Sequence, residues 1–174
     1  METLKALATR KSVRKYADKP VSEETIRAIL SAGMSGPSAV NARPYSFIVV
    51  TDKALLAKMG QGGPAGRVSP VVGAAFAVLV CGDMEKAFKP QPNFWIIDAS
   101  IAAQNMILAA HDLGVGSVWL GTWPDENNIR RHQENLGLPE TIIPHSLIAF
   151  GYPEEPNTTE RDLYEAEKVH YNGW

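Results

Sequence analysis

Near the start of the chain, Arg10-Lys11-Ser12-Val13-Arg14-Lys15-Tyr16 gathers four cations and a hydroxyl into seven residues. In an extended backbone Arg10, Ser12 and Arg14 fall on one side. Guanidinium groups set beside a hydroxyl can grip a phosphate and a polar heterocycle together, because arginine presents a planar fork of donors. A solvated basic turn would have the same composition, and the segment alone leaves both readings open. A second polar stretch, Pro37-Ser38-Ala39-Val40-Asn41-Ala42-Arg43-Pro44, leads straight into an apolar run. Ser38 and Asn41 carry donors and acceptors able to read the edge of a heterocycle, although Ser, Asn and Pro also simply make turns.

Other chemistries are missing from the sequence. Gly114-Val115-Gly116-Ser117-Val118-Trp119-Leu120-Gly121 has the glycines of a dinucleotide loop, but Trp119 stands where the third glycine belongs. The stretch also precedes a strand instead of following one, which excludes a Rossmann site. Glycines here would let a flat ring lie against backbone. His111, His132, His145 and His170 match no metal-ligand spacing, and Cys81 is the single cysteine. His111 reads as a hydrogen-bonded core residue, and Cys81, at the end of an apolar run, as a buried and inert thiol. No nucleophile elbow, P-loop or carboxylate pair occurs. Hard chemistry would therefore fall to a cofactor. Phe94, Trp95, Trp119 and Trp123 are candidates to line an aromatic pocket, with buried core the simpler reading of Trp119.

These segments need a frame. A short helix is expected over Thr3–Thr9, and a second one after Ser22, which caps Glu23 and Glu24 in the first turn. The loop Ser35–Pro44 precedes a β-branched and aromatic strand, Tyr45–Thr51. Asp52 caps a short helix ending near Gly60, and the Gly/Pro-rich 60–70 stretch reads as a mobile loop. Ala74–Cys81, Val115–Leu120 and Ser146–Phe150 read as buried strands. Between them, Ile96–Leu113 is the longest helix and apolar almost all round, with Gly114 as its stop. So small a chain can hardly cover such a helix alone, so a partner subunit is expected. Asp125 caps a polar helix that runs to Leu136 and stops at Gly137. The polar tail from Tyr152 ends in His170, Tyr171 and Trp174, aromatics that predict docking. Without strict βαβ alternation, the class is α+β.

Bulk properties narrow the function. The chain has 174 residues, 45% of them hydrophobic and 21% charged, with a formal net charge of -2. One domain over residues 1–174 is expected. No basic excess points to nucleic acid, and the apolar runs fall well short of the roughly 20 residues that span a bilayer. The N-terminus lacks the apolar run of a secretory signal, and the lone cysteine suits a reducing cytoplasm.

Taken in order, Arg10–Tyr16, Lys19-Pro20-Val21, Gly36-Pro37-Ser38 with Asn41 and Pro44, and Phe47-Ile48-Val49-Val50 resemble the N-terminal signature of the nitroreductase family of flavin enzymes. Asp98–Leu113 followed by Gly114–Gly121 resembles that family's dimer helix and flavin-side strand. Glu167-Lys168-Val169-His170-Tyr171-Asn172 resembles its returning tail. The resemblance implies an α+β fold, with a mainly antiparallel sheet flanked by helices, in an intertwined homodimer. Two flavin mononucleotides (FMN) would lie at the subunit interface.

By the same resemblance, Arg10 would hold the phosphate, with Lys168 and His170 approaching from the tail. Lys11 and Ser12 would meet the ribityl–phosphate portion, and Arg14 the pyrimidine side of the ring. Pro37, Ser38, Ala39 and Asn41 would come from the other subunit. Leu120 and Gly121 would border the isoalloxazine, and Arg67 loosely matches a ring-contacting position. No side chain would be catalytic in the covalent sense. NADH or NADPH would deliver hydride to flavin N5, and a nitroaromatic or quinone-like acceptor would then take its place in a ping-pong exchange. Arg14 would modulate the flavin electronically. The resemblance also admits dehalogenase-like or flavin-fragmenting enzymes, or a non-catalytic flavin-binding dimer. Two features depart from the larger members. The segment between Cys81 and Asp98 is short, and His170 stands where arginine is frequent, which would make phosphate affinity pH-dependent near neutrality.

Overall fold

A computed structural model of the chain describes residues 2–61, 68–155 and 159–174. Its elements run α1 (Thr3–Thr9), α2 (Glu23–Met34), β1 (Tyr45–Val50), α3 (Lys53–Met59), β2 (Phe76–Asp83), α4 (Phe94–Asp112), β3 (Gly116–Gly121), α5 (Glu126–Leu136) and β4 (Ile142–Gly151). The four strands form one antiparallel sheet in the order β1-β2-β4-β3. The central pair, β2 and β4, is covered on both faces, which explains why β2 is a continuous apolar run with every residue buried.

Each face of the sheet packs its own core. On one side Ile29 of α2 and Trp95, Ala99, Ala103 and Met106 of α4 close over Phe76, Val78, Val80, Ile148 and Phe150. On the other, Leu56 and Met59 of α3 and Leu136 of α5 close over Ala77, Leu79, Val118, Leu147 and Ala149. The α+β architecture, with helices on both faces, is the expected one.

The helix boundaries follow local chemistry. Ser22 and Asp52 accept hydrogen bonds from the amides of Thr25 and Leu55, and Asp125 caps α5 through the amides of Asn127 and Asn128. Gly114 stops α4 with φ of 75°, and the Val115 amide returns to the carbonyl of Ala110 at 2.8 Å. One strand differs from expectation, since β4 begins at Ile142 and not at Ser146. Pro144 breaks the apolar pattern, but it pairs with Cys81 where the β2–β4 register shifts, and a bulge tolerates the missing donor.

α4 is not covered all round. Phe94 and Ile97 are exposed, Ile97 to 56%, and Ile101 and Leu108 on the same face are half-buried. Residues 159–174 are exposed along their whole length, tied back where the Arg161 amide donates to the Ala8 carbonyl at 3.1 Å. Among the described residues no helix is long and apolar enough to cross a membrane.

Candidate functional site

The basic segment leaves α1 at Arg10 and runs beside the edge strand β3. Ser12 forms a parallel bridge with Ser117, the Val13 amide donates to the Ser117 carbonyl at 2.8 Å, and Tyr16 bridges Pro153. Two glycines permit this approach. A methyl group on Gly116 would sit 2.8 Å from side-chain carbons of Val13, and one on Gly151 would sit 2.9 Å from the ring of Tyr16. The buried Tyr16 hydroxyl donates to the carbonyls of Val13, at 2.8 Å, and Ala149, at 3.2 Å, which pins the segment to β4. Burial pushes its ionisation up, so the phenol stays a donor. Thus Gly116 admits an aliphatic side chain and not a flat ring. Gly121 differs: among the described residues nothing lies within 4 Å of a methyl group built there.

That open backbone borders a cleft of about 790 Å³. Arg14, Leu120 and Gly121 line it together, with Tyr16, Trp119 and residues from α3 and α5. Trp119 is 36% exposed at this edge strand, which corrects its reading as buried core. Its ring meets His145 edge-on at 5.6 Å, and His145 meets Trp95, which in turn meets Trp123. Trp95 and Trp123 therefore cluster with His145 and Trp119, Phe94 stacks on Phe88 instead, and none of these three lines the cleft. Burial lowers His145 to about 4, so its ring is neutral and bonds Ser100 and Ser146. His111 bonds Thr9 at 2.7 Å, as a structural histidine does. Cys81 is fully buried, and burial pushes its thiol up to about 12.

Arg10, Lys11 and Ser12 lie upstream of the cleft on the same strip of chain. Arg10 is half-buried, and its guanidinium is lowered by burial and then by the nearby Arg161 cation, whose side chain donates to the Arg10 carbonyl. Lys168 and His170 do not meet Arg10 within this subunit. Lys168 pairs with Glu165, and His170 stacks on Trp174 with ring centroids 4.2 Å apart. Arg67 lies outside the described residues.

The loop carrying Pro37, Ser38, Ala39 and Asn41 does not line the cleft; it packs on α4. The Ala39 amide donates to Asp98 Oδ1 at 3.1 Å, and the Ser38 hydroxyl accepts from the Arg43 amide at 2.9 Å. Arg43 returns to the Met34 carbonyl at 2.8 Å and to the Tyr45 hydroxyl at 3.2 Å. These bonds hold Val40, Asn41 and Arg43 at φ of 48°, 56° and 51°. A β-branched residue such as Val40 rarely adopts that region, and strain of this kind gathers at functional sites. Burial raises the Asp98 carboxyl while the Ala39 amide pulls it down, and Oδ2 has no partner among the described residues.

Sequence reasoning missed the far wall of the cleft. Asn128, Arg131 and His132 occupy positions i, i+3 and i+4 of α5 and share one face. Burial and then Arg131 lower His132 to about 4. The signal was present as a polar helix with basic residues on its inner face, but only the fold brings that face to the cleft that Arg14 lines. Among the described residues no cluster of His, Cys, Asp or Glu is able to hold a metal ion.

An α+β sheet layered between helices presents a cationic strip and an open glycine backbone at one cleft, the arrangement of a cofactor-binding protein. The nitroreductase family model matches residues 7–62 and 65–152, and the chain belongs to that family. A protein of Methanothermobacter thermautotrophicus, named for NADH dehydrogenase and NAD(P)H nitroreductase activity, is 44% identical over all of this chain and 88% of its own length. A crystal structure from Parabacteroides distasonis bearing the same activity name is 40% identical, covers 99% of this chain and 98% of its own, and superposes with a TM-score of 0.89. An FMN-dependent nitroreductase of Clostridium difficile is 33% identical, covers 98% of this chain and 99% of its own, and superposes with a TM-score of 0.88.

Proposed function

We propose that the protein is an FMN-dependent oxidoreductase that draws reducing equivalents from NADH or NADPH and passes them to a small nitroaromatic or quinone-like acceptor. The observation that carries the reading is Arg14 set at a cleft beside the open backbone of Leu120 and Gly121, within a family whose relatives include an FMN-dependent nitroreductase. The fit is good on three counts. The cleft is roomy, no described residue beside its edge glycine excludes a planar ring, and a cation stands ready for a ring edge that gains negative charge on reduction.

Arg10, Lys11 and Ser12 would hold the phosphate and ribityl chain along the strip upstream of the cleft. Arg14 would face the pyrimidine edge, with Leu120 and Gly121 bordering the ring. When bound, FMN supplies hydride acceptance from the nicotinamide and onward delivery to the acceptor, the two occupying one place in turn. Arg14 contributes a fixed positive charge near the edge where reduced flavin is anionic, at no reorganisation cost. Tyr16 and Gly116 keep Arg14 in register by fixing the strip to the sheet.

The working unit in this reading is a homodimer. The exposed apolar face of α4, the exposed tail and the strained loop 37–43 remote from its own cleft all support it, because a second copy would cover the first and use the others. The test is a flavin titration by fluorescence quenching, combined with nicotinamide oxidation on a quinone. The reading expects tight FMN binding and turnover with at least one nicotinamide. A protein that binds no FMN would overturn it.

A further inference from the structure

The inner face of α5 holds polar groups that no described residue satisfies. Arg131 Nε and His132 Nδ1 are both buried without a hydrogen-bond partner, and His132 is only 2% exposed. Both residues line the cleft, and Asn128 adds an amide one turn earlier on the same face. Leaving buried polar atoms dry is costly. Arg131 Nε is always a donor, and His132 Nδ1 is one in the tautomer that carries its proton there, so the unpaired pair beside the cleft marks the place of a missing acceptor. The charge around them gives the sign of that acceptor. Arg14, Lys15 and Arg131 line the cleft against the single acid Glu154. None of the three cations forms an ion pair among the described residues.

We propose that Arg131 and His132, with Asn128, form a binding site for a carboxylate borne by the small acceptor, so that the protein selects anionic over neutral acceptors. This rests on the oxidoreductase reading for its substrate but not for its chemistry of recognition. Arg131 Nε and His132 Nδ1 are buried, so a carboxylate oxygen accepts from the Arg131 guanidinium and from His132, in the tautomer that carries the proton on Nδ1, once these side chains turn toward the cleft. Asn128 then supplies an amide donor to the second oxygen. The flavin-holding strip reaches the same cleft at Arg14, so one group orients the acceptor while the other holds the cofactor.

The test is equilibrium binding to the FMN-loaded protein, by calorimetry and by perturbation of the flavin spectrum, with 4-nitrobenzoate and 4-nitrobenzamide as matched probes. The structure calls for about tenfold or greater preference for the carboxylate, the worth of a charge-assisted hydrogen bond. In Arg131→Gln the preference should vanish while the affinity for FMN stays unchanged. Equal binding of the two probes by the wild type overturns the proposal. So does an Arg131→Gln protein that loses FMN but keeps the preference, since the donors would then serve the cofactor. If the purified protein binds no FMN yet still prefers the carboxylate, the site stands and the flavin reading falls.

Discussion

Substituting Gly116 by alanine tests how the strip that carries Arg14 is held. A methyl group there would stand 2.8 Å from Cβ, Cγ1 and Cγ2 of Val13. Carbon atoms settle at roughly 3.5–4.0 Å, so the strip must retreat by about 1 Å. Val13 cannot retreat freely, because its amide donates to the carbonyl of Ser117 at 2.8 Å and its carbonyl accepts from Tyr16 at 2.8 Å. Overpacking of this kind costs about 1–3 kcal/mol. For a chain of this size each kcal/mol lowers Tm by roughly 2–4 °C, so Gly116→Ala should melt roughly 2–12 °C below wild type. The same displacement moves Arg14, so the variant should also bind FMN more weakly. Gly121→Ala is the matched control. Its methyl meets nothing within 4 Å, so its cofactor-free Tm should change little while FMN affinity falls. Circular dichroism melts of the cofactor-free proteins and flavin fluorescence titrations supply the readouts. A Gly116→Ala protein that melts and binds as wild type does would refute the packing argument. A Gly121→Ala protein that loses stability but not FMN would refute the assignment of the open backbone.

Further outcomes follow from single groups. His132 and His145 fall to about 4 in the fold from 6.5 in the open chain, so the unfolded state takes up protons first on acidification. Stability present above pH 6.5 is then lost as the pH falls toward 4, by up to about 3 kcal/mol for each ring, and levels off below; urea melts across that window should show the slope, and His145→Gln should flatten part of it. Arg14→Ala should lower the reduction potential of bound FMN without unfolding the protein, and an unchanged potential would remove its electronic role. Cys81 should resist thiol reagents until the protein unfolds, since it is fully buried with its thiol pushed up to about 12. Ser22→Ala should cost about 1 kcal/mol in a denaturant melt through loss of the bond to the Thr25 amide.

The parts of the fold legible in the sequence are those set by local chemistry. Ser22, Asp52 and Asp125 mark helix starts because their side chains satisfy nearby amides, and Gly114 and Gly137 mark stops because they take positive φ. β2 is legible because both of its faces are buried. The start of β4 was hidden by Pro144, whose tolerance depends on a bulge at His145 that forms only against a partner strand some sixty residues away in sequence. Trp119 looked like core because an apolar run cannot reveal that its strand is an edge. The site divides in the same way. Arg14, Leu120 and Gly121 converge at the cleft, whereas Pro37, Ser38, Ala39, Asn41, Lys168 and His170 do not reach it within one subunit. The α5 lining was illegible because nothing local brings Arg131 and His132 to the cleft that Arg14 lines.

The central claim is that this cleft carries FMN as an electron relay, and two anaerobic half-reactions test it most directly. NADH or NADPH is added to the FMN-loaded protein and removed, and a quinone or nitroaromatic is then added alone. The yellow absorbance should bleach in the first step and return in the second without nicotinamide present. Bound flavin that neither nicotinamide bleaches, or that stays reduced when the acceptor arrives, would contradict it.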